Sequence, residues 1–367
     1  MTGLDLTESR FARPPREPLP VSAMTDAHLA ELADRVVAQT WNHGLPNWFW
    51  GEGVCLFGMV RVAEALGRDF PARVLDWLDE RIAAGVRVTH VNEVAPGTAA
   101  VLAGRLGIAE DLAGWLASRA SRGAHGAWEH WPGAVWADTT FMAGVFVARF
   151  GAATGRTDLV EEAGAQLLAH AAVLQHPATG LYAHGSHRGE VIDCRWGRGN
   201  AWCALAAVDF LSVAAGLVPP DLLIRVAAIL ERQLTGLAAC QPAHGVWGVL
   251  VDDPPETAGI LETSAAAGIG AAMLRATELD LRWAERMREP GWRAIRGALS
   301  YVDADGTLTR VSAGTVLQLL PFGYSVIRDD RMQLWGQGLA LHAIAAAAGA
   351  LRAGRGPGDL CPQGGLG

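Results

Sequence analysis

The chain has 367 residues, half of them hydrophobic, with 38 acidic against 30 basic side chains and a net charge of −8. A sizeable core is assured, and the acidic balance without any basic run argues against nucleic acid or an anionic membrane as the main partner. A small anionic substrate stays open, because one local cation is enough to hold it.

In chain order, residues 1–23 are rich in Pro and Arg without periodicity and are expected to be disordered. From there to about residue 352, apolar residues recur at helical spacing over 27–41, 53–67, 71–85, 98–107, 140–155, 159–174, 201–216, 220–237, 263–279, 291–302 and 334–351. Several of these segments end on glycine, the favoured residue just past a helix end. The tail 353–367, AGRGPGDLCPQGGLG, is rich in Gly and Pro and is expected to be flexible.

The helices are of two kinds. PARVLDWLDERI and LVEEAGAQLLAHAAVL are amphipathic, as surface helices are, whereas CALAAVDFLSVAAG and TSAAAGIGAAML are apolar nearly all round and must be buried on every side. The kinds roughly alternate, and the apolar ones follow polar, aromatic stretches: WFWGEG (48–53), HVNEVAPG (90–97), VWADTT (135–140), RWGRGNAW (195–202), ILETSA (260–265) and QLWGQG (333–338). These stand roughly 40 to 75 residues apart, about one helical hairpin each. The pattern predicts an all-α (α/α)6 barrel of six helical hairpins, a single domain over 24–352, with the six stretches at one mouth. A linear solenoid of helix pairs would not need such apolar inner helices.

The five cysteines are widely spaced, odd in number and lack a CxxC pair, so neither a disulfide framework nor a zinc site is indicated. No basic-then-apolar leader opens the chain, and no later run reads as apolar for long enough to cross a bilayer. A soluble cytoplasmic protein is expected, without nucleic-acid or membrane partners; its oligomeric state is not legible. All thirty basic residues are arginine, which excludes lysine-based phosphate loops and Schiff bases, and GRGNAW lacks the third glycine of a dinucleotide fingerprint. His184 and His187 in HGSH have no carboxylate motif of metal-site type beside them, so no metal is expected.

The mouth stretches carry the candidate chemistry. Asp138 in VWADTT reads either as the N-cap of the apolar run behind it, or as a carboxyl desolvated by Trp and Phe, with a raised pKa suited to general acid work. Capping does not account for Trp136, His184, Trp196, Arg198, Trp202 and Glu262 gathering at the same end. Glu262, Thr263 and Asn200 are themselves plausible caps, while a histidine on a glycine-flanked loop, as His184 is, is seldom a packing residue. Arg198 sits beside a helix N-terminus, where the macrodipole disfavours a cation; an oxygen-rich anionic ligand, gripped by its bidentate fork, would account for it. Fourteen tryptophans against three tyrosines offer flat faces suited to sugar rings as well as to core packing.

The stretches WADTTFMAGVFVARFG, GLYAHGSH, RWGRGNAW and GVWGVLVDDPPETAGILETSAAAGIGAAML, in unbroken order within about residues 30 to 350, resemble the successive signatures of the unsaturated glycuronyl hydrolases of glycoside hydrolase families 88 and 105. The resemblance implies an (α/α)6 barrel that, instead of using a carboxylate pair on an ordinary glycoside, hydrates the C4–C5 double bond left by a polysaccharide lyase in a terminal uronate. It implies Asp138 as the catalytic proton donor to C4, His184 as a catalytic residue touching substrate or placing water, and Trp196, Arg198 and Trp202 as the subsite wall. Trp50, Asn92, Trp136, His187, Asn200 and Glu262 complete the candidate substrate-binding set. The implied partner is a short, anionic oligosaccharide, with neither metal nor organic cofactor. Two departures stand out: Asn92, with Glu93 beside it, occupies the place of a second aspartate, and His187 that of an acidic group. They leave open a barrel that hydrates, cyclises or isomerises another unsaturated molecule in a biosynthetic pathway. A non-catalytic sugar-binding barrel is the third reading, and the joint presence of Asp138, His184 and Arg198 counts against it.

Overall fold

The computed structural model describes residues 13–359. Its helices are α1 (Asp26–His43), α2 (Trp50–Ala65), α3 (Ala72–Ala84), α4 (Gly97–Leu102), α5 (Leu106–Arg119), α6 (Phe146–Thr154), α7 (Thr157–Leu174), α8 (Gly197–Ala214), α9 (Pro220–Ala239), α10 (Thr263–Ala276), α11 (Arg288–Leu299), the short α12 (Pro321–Ser325) and α13 (Leu334–Arg352). A π-helical turn, Thr140–Val145, leads into α6. One small hairpin, β1 (Gly185–His187) with β2 (Glu190–Ile192), interrupts the helices.

The inner ring is α2, α4, α6, α8, α10 and α13, and α13 closes it by packing on both α10 and α2. Burial follows the two kinds of sequence: all of α10 is buried, while α3 buries only Val74, Trp77 and Leu78. The backbones of α2 and α13 touch; a Cβ on Gly338 would lie 2.6 Å from main-chain atoms of Val54, so only glycine fits there. Because each hairpin runs out and back, the inner helices point the same way, and their N-termini share one mouth. The (α/α)6 barrel expected from the sequence is the fold found.

Four local expectations are corrected. Where periodicity suggested one helix over 98–107, a turn after Leu102 divides α4 from a full outer helix, α5. The segment expected to be disordered lies outside the described residues over 1–12, but 13–23 is docked: Leu19 N donates to Arg296 O (3.1 Å), Arg16 N to the Tyr301 hydroxyl (2.7 Å), and Arg13 Nη2 to both Asp329 oxygens (3.0 and 2.8 Å). Of the tail, 360–367 lies outside the described residues, and Arg355 O accepts from Trp292 Nε1 (2.8 Å). Finally, α13 is long and apolar enough to cross a membrane, against the reading that no run is; here 78% of its apolar window is buried, as the core helix of a barrel requires.

Candidate active site

The site forms where residues 134–137 run beside 184–187. Ala137 N donates to His184 O (2.9 Å) and Ser186 N to Val135 O (2.8 Å), which sets the side chains of Asp138 and His184 together, Nε2 to Oδ2 at 3.4 Å. Gly185 permits the approach, since a Cβ there would stand 2.6 Å from Trp136 Cδ1. Asp138 then opens the inner helix just ahead of the π-helical turn, a feature that recurs at functional sites. The N-cap reading fails: among the described residues the Asp138 carboxylate makes no capping hydrogen bond, and Oδ2 has only the long approach of His184 Nε2 at 3.4 Å.

Asp138 is 9% exposed. Burial by itself would raise its pKa, but His184, His130 and Arg198 more than offset that and hold it below the ordinary aspartate range. This reverses the raised pKa expected from the sequence, because the neighbours that decide it come from other segments.

His184 is fully buried between Trp196 (4.3 Å between ring centroids) and Trp136 (5.2 Å). Its Nδ1 lies 2.7 Å from the Tyr324 hydroxyl. A carboxylate only accepts, so the proton belongs on Nε2, facing Asp138, and Nδ1 accepts from Tyr324. Burial pushes the Tyr324 pKa far up, which keeps that donor protonated. Beyond Trp136, His130 stacks on the indole at 4.7 Å, and its Nδ1 is 3.0 Å from Thr139 Oγ1. Burial pushes the His130 pKa down to about 3, so the ring is neutral. His90 and the half-exposed Trp131 (4.2 Å) continue this aromatic arc to the rim.

Arg198 is not the free fork that the sequence suggested. It is fully buried; Nη1 donates to Glu262 (3.2 Å) and to Ser312 O and Oγ (3.0 and 2.9 Å), and Nη2 to Ala313 O (3.1 Å) and Thr315 Oγ1 (3.2 Å). The guanidinium lies over Trp196 (4.4 Å) and Trp335 (5.4 Å), and Trp335 in turn stacks on half-buried Trp50 (4.3 Å). A cation at a helix N-terminus is tolerated because Glu262 and loop carbonyls surround it. Arg198 thus ties the segment 312–315 across the mouth, and Glu262, bonded also to Ser312 N (3.1 Å), is its counter-ion.

The remaining candidates divide. Asn92 is buried on a turn that packs against the π-helical turn, and its side-chain amide makes no hydrogen bond among the described residues. Glu93 is spent on the main-chain N–H groups of Thr89 and His90 (3.0 Å from the latter), so it does not replace a second acid. Asn200 is used up holding Tyr182, with its amide on the Tyr182 N–H and C=O (both 2.9 Å). Trp202 is wholly buried against Phe141, a packing residue rather than a sugar wall. His187 is exposed on β1 instead of joining the cluster. Tyr324, His130, His90, Trp131 and Trp335 were missed by residue-level reasoning, although His90 and Trp335 fall inside two of the mouth stretches. Among the described residues, no group of three or more His, Cys, Asp or Glu is arranged to hold a metal ion.

Comparisons with known proteins agree on the family and the fold. A sequence profile described as Glycosyl Hydrolase Family 88 matches residues 21–350. The chain is 30% identical over 336 residues to the unsaturated rhamnogalacturonyl hydrolase YesR of Bacillus subtilis, spanning 86% of this chain and 94% of that one. Among solved structures it resembles a possible member of the GH105 family from Salmonella enterica (TM-score 0.78, 25% identity, 95% of this chain and 99% of that one). The unsaturated glucuronyl hydrolase of Bacillus sp. GL1 (TM-score 0.67, 18% identity, 87% and 96%) shares the fold.

Proposed function

Since the chain belongs to Glycosyl Hydrolase Family 88 and is a hydrolase of the unsaturated glycuronyl type, we propose that Asp138 is its proton donor and that His184 and Tyr324 orient the site around it. The observation that carries this is the bonding of Asp138. Its Oδ2 is the one buried carboxylate oxygen without a hydrogen-bond partner among the described residues. The other acids near the mouth, Glu52, Glu93 and Glu262, are bonded to main-chain groups.

The substrate is a short oligosaccharide ending in a 4,5-unsaturated uronate, and the name of the B. subtilis relative supports a rhamnogalacturonan-derived one. The neighbours His184, His130 and Arg198 favour the ionised form of Asp138. A uronate carboxylate entering beside it adds a like charge, which raises its pKa and loads it with a proton. Asp138 passes that proton to C4, and the positive charge spreads over C5 and the ring oxygen. Water adds at C5, returning a proton to the Asp138–His184 pair. The resulting hemiketal opens to the C5 ketone, and the hemiacetal left at C1 collapses to the aldehyde, releasing the neighbouring sugar with its oxygen. Trp136 walls the reacting ring, Trp196 backs His184 from behind, and Trp50 and Trp131 flank the entrance. Nothing in the comparisons favours the biosynthetic alternative. Free thiols at Cys55, Cys194, Cys203 and Cys240 support a reducing, cytoplasmic setting.

The test is the ultraviolet absorbance of the double bond, which should decay when an unsaturated rhamnogalacturonan disaccharide is added. Asp138→Asn should slow the decay by about 10² to 10⁴, with the helical circular dichroism unchanged. Parent-like turnover by that variant would overturn the assignment.

A further inference from the structure

At the end of the barrel opposite the mouth, where the inner helices finish, a cavity of about 540 Å³ opens between α2, α10 and α13. We propose that it binds a phosphate group, either free or on a small ester. Four of its lining side chains, Arg61, Arg275, Arg352 and Arg355, are guanidinium cations, against the carboxylates of Glu64 and Glu278.

The pairing behind the lining leaves positive charge over. Asp209, fully buried, takes two hydrogen bonds from Arg149 (both 2.7 Å) and one from Arg275 (2.9 Å), so a single carboxylate serves two cations. Arg61 is shared with the largely exposed Glu64, while Arg352 and Arg355 form no ion pair among the described residues. His342, only 2% exposed, also lines the cavity, and its Nε2 has no hydrogen-bond partner. The helix macrodipole accounts for part of this, since cations favour helix C-termini, but its reach is about one turn. Arg275 and Arg352 sit in the last turns of α10 and α13. Arg61 lies a full turn inside the end of α2, and Arg149 likewise within α6. Crowded guanidinium forks around an open cavity match a multivalent tetrahedral oxyanion, which accepts several charge-assisted hydrogen bonds at once. The volume exceeds what phosphate alone fills, leaving room for the rest of an ester.

Isothermal titration of the full chain with inorganic phosphate and, separately, with glucose 6-phosphate tests this. Saturable one-site binding is expected, weakened about tenfold or more in both Arg61→Ala and Arg352→Ala, as the loss of a charge-assisted bond implies. The tighter of the two probes identifies the free or esterified form. Hydrolysis of the unsaturated disaccharide should be unchanged in Arg352→Ala, whose exposed side chain can be removed without threatening the fold. Absence of saturable binding by both probes at millimolar concentration, or equal binding by the parent and both variants, would overturn the proposal.

Discussion

Two buried aspartates, one at each end of the barrel, are treated in opposite ways. Asp209, at the far end, is saturated by Arg149 and Arg275; burial opposes its ionisation, but those arginines and Arg61 outweigh it and drive the pKa far down. Asp138, at the mouth, has an imidazole at 3.4 Å and an oxygen with no hydrogen bond. A carboxylate whose two oxygens both accept from guanidinium forks has no reason to take up a proton. One that faces rings and a single histidine can exchange its proton with whatever enters. Depth of burial does not separate structure from chemistry here; the completeness of the partner set does.

Exchanging the two substitutions gives the largest test of that contrast. Asp138→Asn should cost turnover and leave folding nearly intact. Asp209→Asn should do the reverse, because it strands two buried arginines, and losing one partner of a buried pair costs about 3–5 kcal/mol. Urea melts and turnover per folded molecule read the two effects separately. A stable Asp209→Asn protein with impaired chemistry would break the comparison.

The histidines sharpen it through pH. His130 near the mouth, His342 at the far end and His170 in α7 are held neutral by burial, with pKa values pushed down to about 3, about 3 and about 4. Each titrates near 6.5 when unfolded, so between those values the unfolded chain binds the extra protons. Stability therefore falls as pH drops below about 6.5, by about 1.4 kcal/mol per pH unit for each histidine. Asp138 and Asp209, whose pKa values are lowered on folding, lose their contribution only below about pH 4, so the two sets separate along the pH axis. Thermal melts from pH 7 to pH 5 should show the histidine slope, and His170→Asn should flatten it by about a third. A flat profile over that range would mean that the buried rings take up protons without penalty.

Most of the architecture was legible because inner and outer helices differ in composition: α10 has no charged face to offer water, and α3 does. The mouth was legible for the same reason, since the polar, aromatic stretches sit where apolar helices begin. What stayed hidden depends on contacts between distant segments. Tyr324 is 140 residues from the histidine it supports and lies in an aperiodic stretch. The partners that occupy Arg198 at residues 312–315 are 114 to 117 positions away, so the sequence showed an unexplained cation and not the loop it holds. The direction of the Asp138 pKa needed His184 and His130 in place. The missed helix α5 shows a further limit, because a two-residue turn left the periodicity of 98–107 unbroken to the eye.

Arg198→Lys asks whether the mouth depends on its loop. Lysine keeps the charge but lacks the planar fork, so Ser312, Ala313 and Thr315 cannot all be held. A fall in kcat/KM of about tenfold is expected, equivalent to about 1.4 kcal/mol, together with faster amide exchange over 312–324. Faster exchange with unchanged kcat/KM would show that the loop is a cover and not a part of the site.

The smallest expected effect falls at the rim. Trp131 is 49% exposed, an uncommon position for so large an apolar ring, and its indole packs on His90 beside the arc that leads to Trp136. The far end presents arginines where the mouth presents rings, which fits a mouth that receives sugar faces. Stacking on one exposed aromatic is worth about 0.5–1.5 kcal/mol, so Trp131→Ala should raise KM about two- to tenfold while kcat stays put, and Trp131→Phe should recover most of the loss. A fall in kcat instead would mean that Trp131 acts through His90 and His130 on the packing around Trp136, moving it from the entrance into the support of the reacting centre.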